Sequence, residues 1–155
     1  MNTIRIELYA PEYKDDFVRL NKEWITTYFR LEESDLHTLN HVEEYILDNG
    51  GQVFIALVDN RAVGCCALIA HRETQTFEMA KMAVSPQAQG LGLGRKLGEA
   101  LISYAKEKGI KQLFLEGNTL LEPSMILYRK LGFKKVPVSN SAYQRCNIMM
   151  MLDIE

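Results

Sequence analysis

Residues 3–8 (TIRIEL) alternate polar and apolar side chains, the two-residue period of a strand with one buried face. Pro11 then stands where a first helical turn tolerates it, and the spacing changes: Tyr13, Phe17, Leu20, Trp24 and Tyr28 recur at threes and fours, one apolar stripe of a helix. A second helix is expected from Asn40, with Glu43 three residues on as in a capping box, to a stop at Gly50 and Gly51; it carries Val42, Tyr45 and Ile46 inward. From Val53 the pattern is extended chain. The runs 53–58 (VFIALV) and 62–70 (AVGCCALIA) flank Asp59 and Asn60, residue types that tolerate the left-handed backbone of a hairpin turn. After a polar break at 71–75 a third run, 76–84 (TFEMAKMAV), ends at Ser85 and Pro86. Three strands with no helix between them predict an antiparallel meander.

Beyond QAQGLGLG lies a strongly amphipathic helix. Leu93, Leu97, Leu101 and Tyr104 share a face, Lys106 and Lys108 suit its negative end, and Gly109 stops it. A short strand, 112–116 (QLFLE), and a helix with Pro123 in its first turn, Arg129 and Lys130 in its last and Gly132 after it come next; 133–138 and 146–154 are the closing strands. The order predicts one α/β domain over residues 1–155, with a mixed, largely antiparallel sheet and helices on both faces.

Composition narrows the function classes. The chain has 155 residues, 47% hydrophobic and 25% charged, which suits one ordinary domain. A formal charge of −2 and a pI near 6.0 argue against a general affinity for nucleic acid or anionic membrane, which needs clustered Lys and Arg. The run 62–70 is far short of the roughly 20 apolar residues that cross a bilayer, and the N-terminus lacks a signal-like apolar stretch, so a cytoplasmic protein is expected. Three cysteines, Cys65, Cys66 and Cys146, make no disulfide framework; the adjacent pair should point to opposite faces of a strand as buried thiols. With His37, His41 and His71 scattered, no metal is expected. Exposed sheet edges, or the C-terminal MMMLDIE strand, leave a homodimer open.

The segment 82–97 (MAVSPQAQGLGLGRKL) runs from strand through proline and a glycine loop into helix. Such a loop suits a phosphate: glycines let backbone approach a ligand, and the orphan N–H groups of the first helical turn point outward with the positive end of the dipole. The dipole is worth only about 0.3–1 kcal/mol when exposed, so convergent hydrogen bonds, each about 1.5–3 kcal/mol when charge-assisted, must supply most of the affinity. Exposed charges such as Arg95 would be secondary. GxGxxG fails in both registers and GxxxxGK[ST] is absent; on these residues alone, a phosphate site and a tight structural turn are equally good readings.

Gln89, Gly92 and Gly94, between Val84-Ser85-Pro86 and an amphipathic helix, fit the pattern Q/RxxGxG/A. Downstream stand Asn118 and LYRKLGF at 127–133. In both motifs, and in their order, the chain resembles the GNAT superfamily of N-acetyltransferases, most clearly over 53–138. The resemblance implies a GNAT-like single-domain fold and acetyl-CoA as donor. Its pyrophosphate would lie on the loop of Gln89, Gly90, Leu91, Gly92, Leu93, Gly94 and Arg95, and pantetheine along Met82, Ala83 and Val84, with a contact from Asn118. In Tyr128 it implies the acid that protonates the leaving thiolate. Asn118 precedes the Tyr128 helix by a longer approach, 119–122 (TLLE), than in many members.

Acyl transfer to an amine also needs the nucleophile deprotonated. An amine with the reference lysine pKa of about 10.4 is only about 0.1% neutral near pH 7.4, a handicap of roughly 4 kcal/mol that a general base relieves. Glu78, interrupting the apolar strand 76–84, is the candidate base; a solvated strand residue or an ion-pair partner of Lys81 are its plainer readings. Glu23, Trp24 and Tyr28, with Phe29, Glu32 and Glu33, could offer aromatic surface and negative charge to a cationic acceptor, a small molecule or peptide amine, although such a stripe usually serves the core and such a charge pair is usually solvated. The expected function is direct acetyl transfer to a primary amine. A noncatalytic acyl-CoA-binding sensor module, or a nucleotide-binding protein of unrelated fold, are the alternatives.

Overall fold

The expected alternation becomes β1 (Ile4–Leu8), and Pro11 opens a 3-10 turn, Pro11–Tyr13, that leads into α1 (Lys14–Tyr28). This is a computed structural model, and it describes residues 2–138 and 144–155. Phe17 and Leu20 are buried as their spacing predicts, but the inward face then passes to Asn21 and Ile25, leaving Tyr28 half exposed at the helix end.

The second helix departs from the expected one. It is α2 (Glu33–Asn40), so Asn40 ends a helix rather than starting one, and a π-helical turn, Val42–Leu47, follows it. The cap is a reciprocal pair in which Glu32 and Asp35 accept each other's backbone N–H. Glu32 is not of the residue types that usually head a helix, which hid the signal. Val42 and Ile46 are buried, as expected from their spacing.

The meander forms as its period predicts: β2 (Gln52–Val58), β3 (Arg61–His71) and β4 (Thr76–Val84), with Asp59 and Asn60 at φ 49° and 68° in the hairpin turn. Then come α3 (Leu93–Glu107), β5 (Gln112–Gly117), α4 (Glu122–Leu131), β6 (Lys134–Val136) and β7 (Ile148–Asp153). The described residues thus form one seven-stranded sheet in the order β1-β2-β3-β4-β5-β7-β6, in which only β4 and β5 run parallel. α3 makes that crossover.

Each face of the sheet has its own core. Phe17, Leu20, Leu39, Val42 and Ile46 pack on Ile55, Cys65 and Ile69; on the other face Leu97 and Leu101 pack on Cys66, Leu68 and Leu115. Cys65 and Cys66 therefore do face opposite ways, as buried thiols whose pKa values burial raises, that of Cys65 to about 12. Gly98 brings α3 against α4: a Cβ there would lie 2.5 Å from Leu131 Cδ1.

Two irregularities in β4 shape the site. Ala80 pairs with Ala67 and Ala83 with Cys65, so Lys81 and Met82 together face the single residue Cys66. This is a β-bulge, with Lys81 at φ 56°. In addition, β4 meets β5 only at Glu78 and Phe114, beyond which the two strands part.

Candidate active site

The parting of β4 and β5 opens a cleft of about 740 Å³, including its solvent-open part. Glu78 to Met82 line one side and Glu116, Gly117 and Asn118 the other; Trp24 and Phe29 come from the α1 end, Tyr128 from α4. Past Glu78 the edge of β4 that faces β5 has no strand partner among the described residues, which leaves backbone of Met82, Ala83 and Val84 available on that side. A second groove continues from Val84 past Gln89, Gly94 and Leu127 to Lys130. β4 and α4 line both cavities.

At the groove end the chain enters α3 through Gly90 at φ 89° and Gly92 at φ 72°. Gly92 is the N-cap in left-handed geometry, and no side chain caps the helix. A Cβ on Gly92 would meet nothing within 4 Å, so the glycine answers a backbone requirement and not a lack of room. Among the described residues, no protein acceptor takes the backbone N–H groups of 90–95; the first internal bond runs from Lys96 N–H to the Gly92 carbonyl at 3.1 Å. Residues of this segment line the second groove, which leaves its donors open to a ligand there. Arg95 is exposed and paired with Glu99 at 3.5 Å.

Glu78 is neither solvated nor paired with Lys81. It is 4% exposed, and its Oε1 lies 2.8 Å from His71 Nε2. The hydrogen bond to Glu78 raises the His71 pKa, with added support from the charges of Glu78 and Glu116, against the opposing effect of burial. Tyr128 stands edge-on to Phe133, ring centres 6.3 Å apart. Burial pushes its phenol up to about 12 although a hydrogen bond with Ser124 pulls it down, so the hydroxyl keeps its proton at neutral pH.

The other expected site residues divide. Asn118 is on the cleft wall, but its Nδ2 donates to the Arg145 carbonyl at 2.7 Å and its Oδ1 accepts from Leu120 N–H at 2.9 Å, which engages the amide in its own turn. Of Glu23, Trp24 and Tyr28, only Trp24 reaches the cleft. Tyr28 packs on the Trp24 ring at 5.5 Å, and Glu23 stays on the exposed side of α1.

Sequence reasoning missed a buried charge network. Lys81 Nζ is 2.8 Å from Asp35 Oδ1, and the side chains are 3% and 0% exposed. Arg145 grips both Asp35 oxygens at 2.8 Å and reaches Glu32 at 3.1 Å. Glu32 is therefore not a solvated charge: it caps α2 and anchors Arg145 and the Gln144 N–H. Burial alone would raise the Asp35 pKa, but the Arg145 hydrogen bonds and the Lys81 charge outweigh it and hold it at about 2. Burial lowers the Lys81 pKa despite Asp35. No local signal connects residues 35, 81 and 145. Among the described residues no His, Cys, Asp and Glu cluster could hold a metal, and no helix is long and apolar enough to cross a membrane.

Residues 15–133 match the family described as Acetyltransferase (GNAT) family. The chain is similar to N-acetylaspartate synthetase of Rattus norvegicus, 29% identical over 110 residues that cover 70% of this chain and 37% of that one; it spans little more than a third of that relative's length. Its fold is that of an acetyltransferase of GNAT family from Staphylococcus aureus Mu50, at a TM-score of 0.87 and 22% identity over 99% of this chain and 100% of that one. It is also that of a phosphinothricin acetyltransferase from Sinorhizobium meliloti in complex with acetyl-CoA, at 0.79 and 19% over 98% and 89%.

Proposed function

The chain belongs to the acetyltransferase (GNAT) family, and from that membership we propose that it moves the acetyl group of acetyl-CoA directly onto a primary amine, with donor and acceptor held in one complex. The observation that carries this reading is the meeting of Glu78 and Tyr128 in one cleft, with β4 leading on to the groove of 90–95, whose amides have no protein acceptor among the described residues.

In this mechanism the diphosphate of acetyl-CoA lies on those amides and the pantetheine follows the unpartnered edge of β4. A bound ammonium gives one proton to Glu78. The neutral nitrogen attacks the thioester carbon; the N–C bond forms and the C–S bond breaks. Tyr128 protonates the departing sulfur and regains a proton from the nitrogen as it becomes an amide. The proton on Glu78 then leaves to solvent. The backbone near Met82 offers N–H donors to the carbonyl oxygen as it gains charge.

The charges of the cleft point to the kind of amine. Its cations Lys81 and Arg145 are ion-paired, with Asp35 and with Asp35 and Glu32, and its carboxylates are Glu78, bonded to His71, and Glu116. Trp24, Phe29, Met79 and Met125 supply apolar surface. A cationic amine on an apolar or aromatic body suits this lining better than an acidic acceptor such as the aspartate that the rat relative's name implies.

The test is release of CoA thiol from acetyl-CoA with phenethylamine, spermidine, a peptide with a free N-terminus, and aspartate. Turnover is expected with the first three before aspartate, with intersecting initial-velocity lines. Tyr128→Phe should lower kcat by about 10²-fold, within the range for loss of a general acid, while CoA binds as before. CoA binding with no turnover on any amine would leave an acyl-CoA-binding module instead. Parallel lines would replace direct transfer by an acetyl-enzyme route.

A further inference from the structure

We propose that His71 is the positioning partner of Glu78: its neutral ring holds the carboxylate through one Nε2–H donor, and its protonation from outside the cleft stops Glu78 from accepting the proton of the amine. The proposal rests on the reading of Glu78 as the base.

Glu78 lines two cavities at once. One is the cleft; the other is an outer groove between α2, the turn Val42–Leu47 and the end of β3, to which His71 belongs. Glu78 stands between them with its side chain 5% exposed, while the His71 side chain is 32% exposed. Strand register explains the contact. Ile69 is opposite Glu78 and His71 opposite Thr76, so His71 and Glu78 are diagonal neighbours on one face of the sheet. The ring lies 5.6 Å from that of Phe114, the residue on β5 that pairs with Glu78, and this contact keeps Nε2 on the carboxylate. Nδ1 has no hydrogen bond among the described residues, so the groove side of the ring can exchange a proton.

The groups around the pair favour the charged ring. Besides Glu78 on β4, Glu116 on β5 acts on His71, and Glu33 and His37 of α2 line the same groove. Tyr45, on the intervening turn, has its pKa raised by burial and by Glu78, so it stays neutral. Lys81, also on β4, acts on Glu78 but is bonded to Asp35. The His71 pKa is accordingly raised above its ordinary 6.5. A carboxylate held against an imidazolium is a poor acceptor for an ammonium proton; one held by a neutral N–H is a good one.

Two measurements test this. In the first, NMR follows the His71 ring through a pH titration: its midpoint should lie above the ordinary range in the wild type and fall back to about 6.5 in Glu78→Gln. An unchanged midpoint would overturn the proposal. In the second, kcat/KM is followed against pH with two amines of different basicity. The wild type should show an acid limb at the His71 midpoint with both. His71→Gln keeps a neutral N–H donor that does not titrate; it should lose that limb and run about three- to tenfold slower on the alkaline side. His71→Phe, with no donor, should be about 100-fold slower than the wild type on the alkaline side, with KM for acetyl-CoA unmoved. An acid limb that persists in His71→Gln, or that follows the basicity of the amine, would also overturn the proposal. If no amine is turned over, the transfer reading fails while the NMR titration still decides the His71–Glu78 pairing.

Discussion

Two carboxylates are buried beside β4, and they are built for opposite purposes. Asp35, 0% exposed, is enclosed by Lys81 and by both arms of Arg145, a guanidinium that keeps its charge across the physiological range. Glu78, 4% exposed, has one hydrogen-bond partner among the described residues, an imidazole that can lose its charge, and it lines a cleft. Asp35 ties α2, β4 and the segment at Arg145 together and has no reason to take up a proton. Glu78 keeps an oxygen near a cavity where protons can come and go. A buried carboxylate becomes a lock when a guanidinium and a second cation both hold it, and a candidate base when its partner is a titratable imidazole.

The contrast breaks most visibly if the lock is removed. Asp35→Ala leaves Lys81 and Arg145 buried without their shared partner, and urea unfolding should show a loss of about 3–5 kcal/mol. Glu78→Gln should do the reverse: stability within about 1 kcal/mol of the wild type, but acetyl transfer at pH 7.5 slower by about 10²-fold or more, measured as thiol release. Comparable losses of stability in both variants would erase the distinction.

Acid sharpens the same contrast. Asp35 is held at about 2, below its ordinary 3.8, so its stabilisation is present above pH 3.8 and is lost as pH falls through the folded value. That amounts to about 2 kcal/mol, seen as a fall in the urea midpoint between pH 5 and pH 2 that Asp35→Asn should reduce. His71 has the opposite sign and the smaller effect. With its pKa raised by Glu78, its contribution is full below 6.5 and is lost as pH rises through the folded value; this slope should vanish in Glu78→Gln. The chain would then be steadier at pH values where the proposed transfer is slower.

Much of this molecule is legible in one dimension. The meander, α3 and α4 announce themselves by period, by Asp59 and Asn60 in the hairpin turn, and by Gly109 and Gly132 past the helix ends, because these depend on neighbours within about ten residues. The glycine loop is equally local, and its free amides follow from starting a helix without a side-chain cap. α2 was hidden because its cap uses Glu32 and Asp35 where Ser, Thr, Asp or Asn is the usual head. Lys81 misleads for a subtler reason. In a regular strand it would face away from Glu78, three positions earlier; the bulge at Lys81 and Met82 reverses that parity, and Lys81 then reaches α2.

By itself, then, the order of residues determined most of the sheet-and-helix plan and the glycine turn before α3, and it offered Glu78, and through the family resemblance Tyr128, as candidates for proton transfer. Only the folded chain decided which cation meets which carboxylate. Asp35 and Arg145 are 110 positions apart, His71 meets Glu78 across a strand pair, and the cleft exists because β4 and β5 stop pairing after one contact. Such pairings depend on register and on packing between distant segments, which no local pattern encodes.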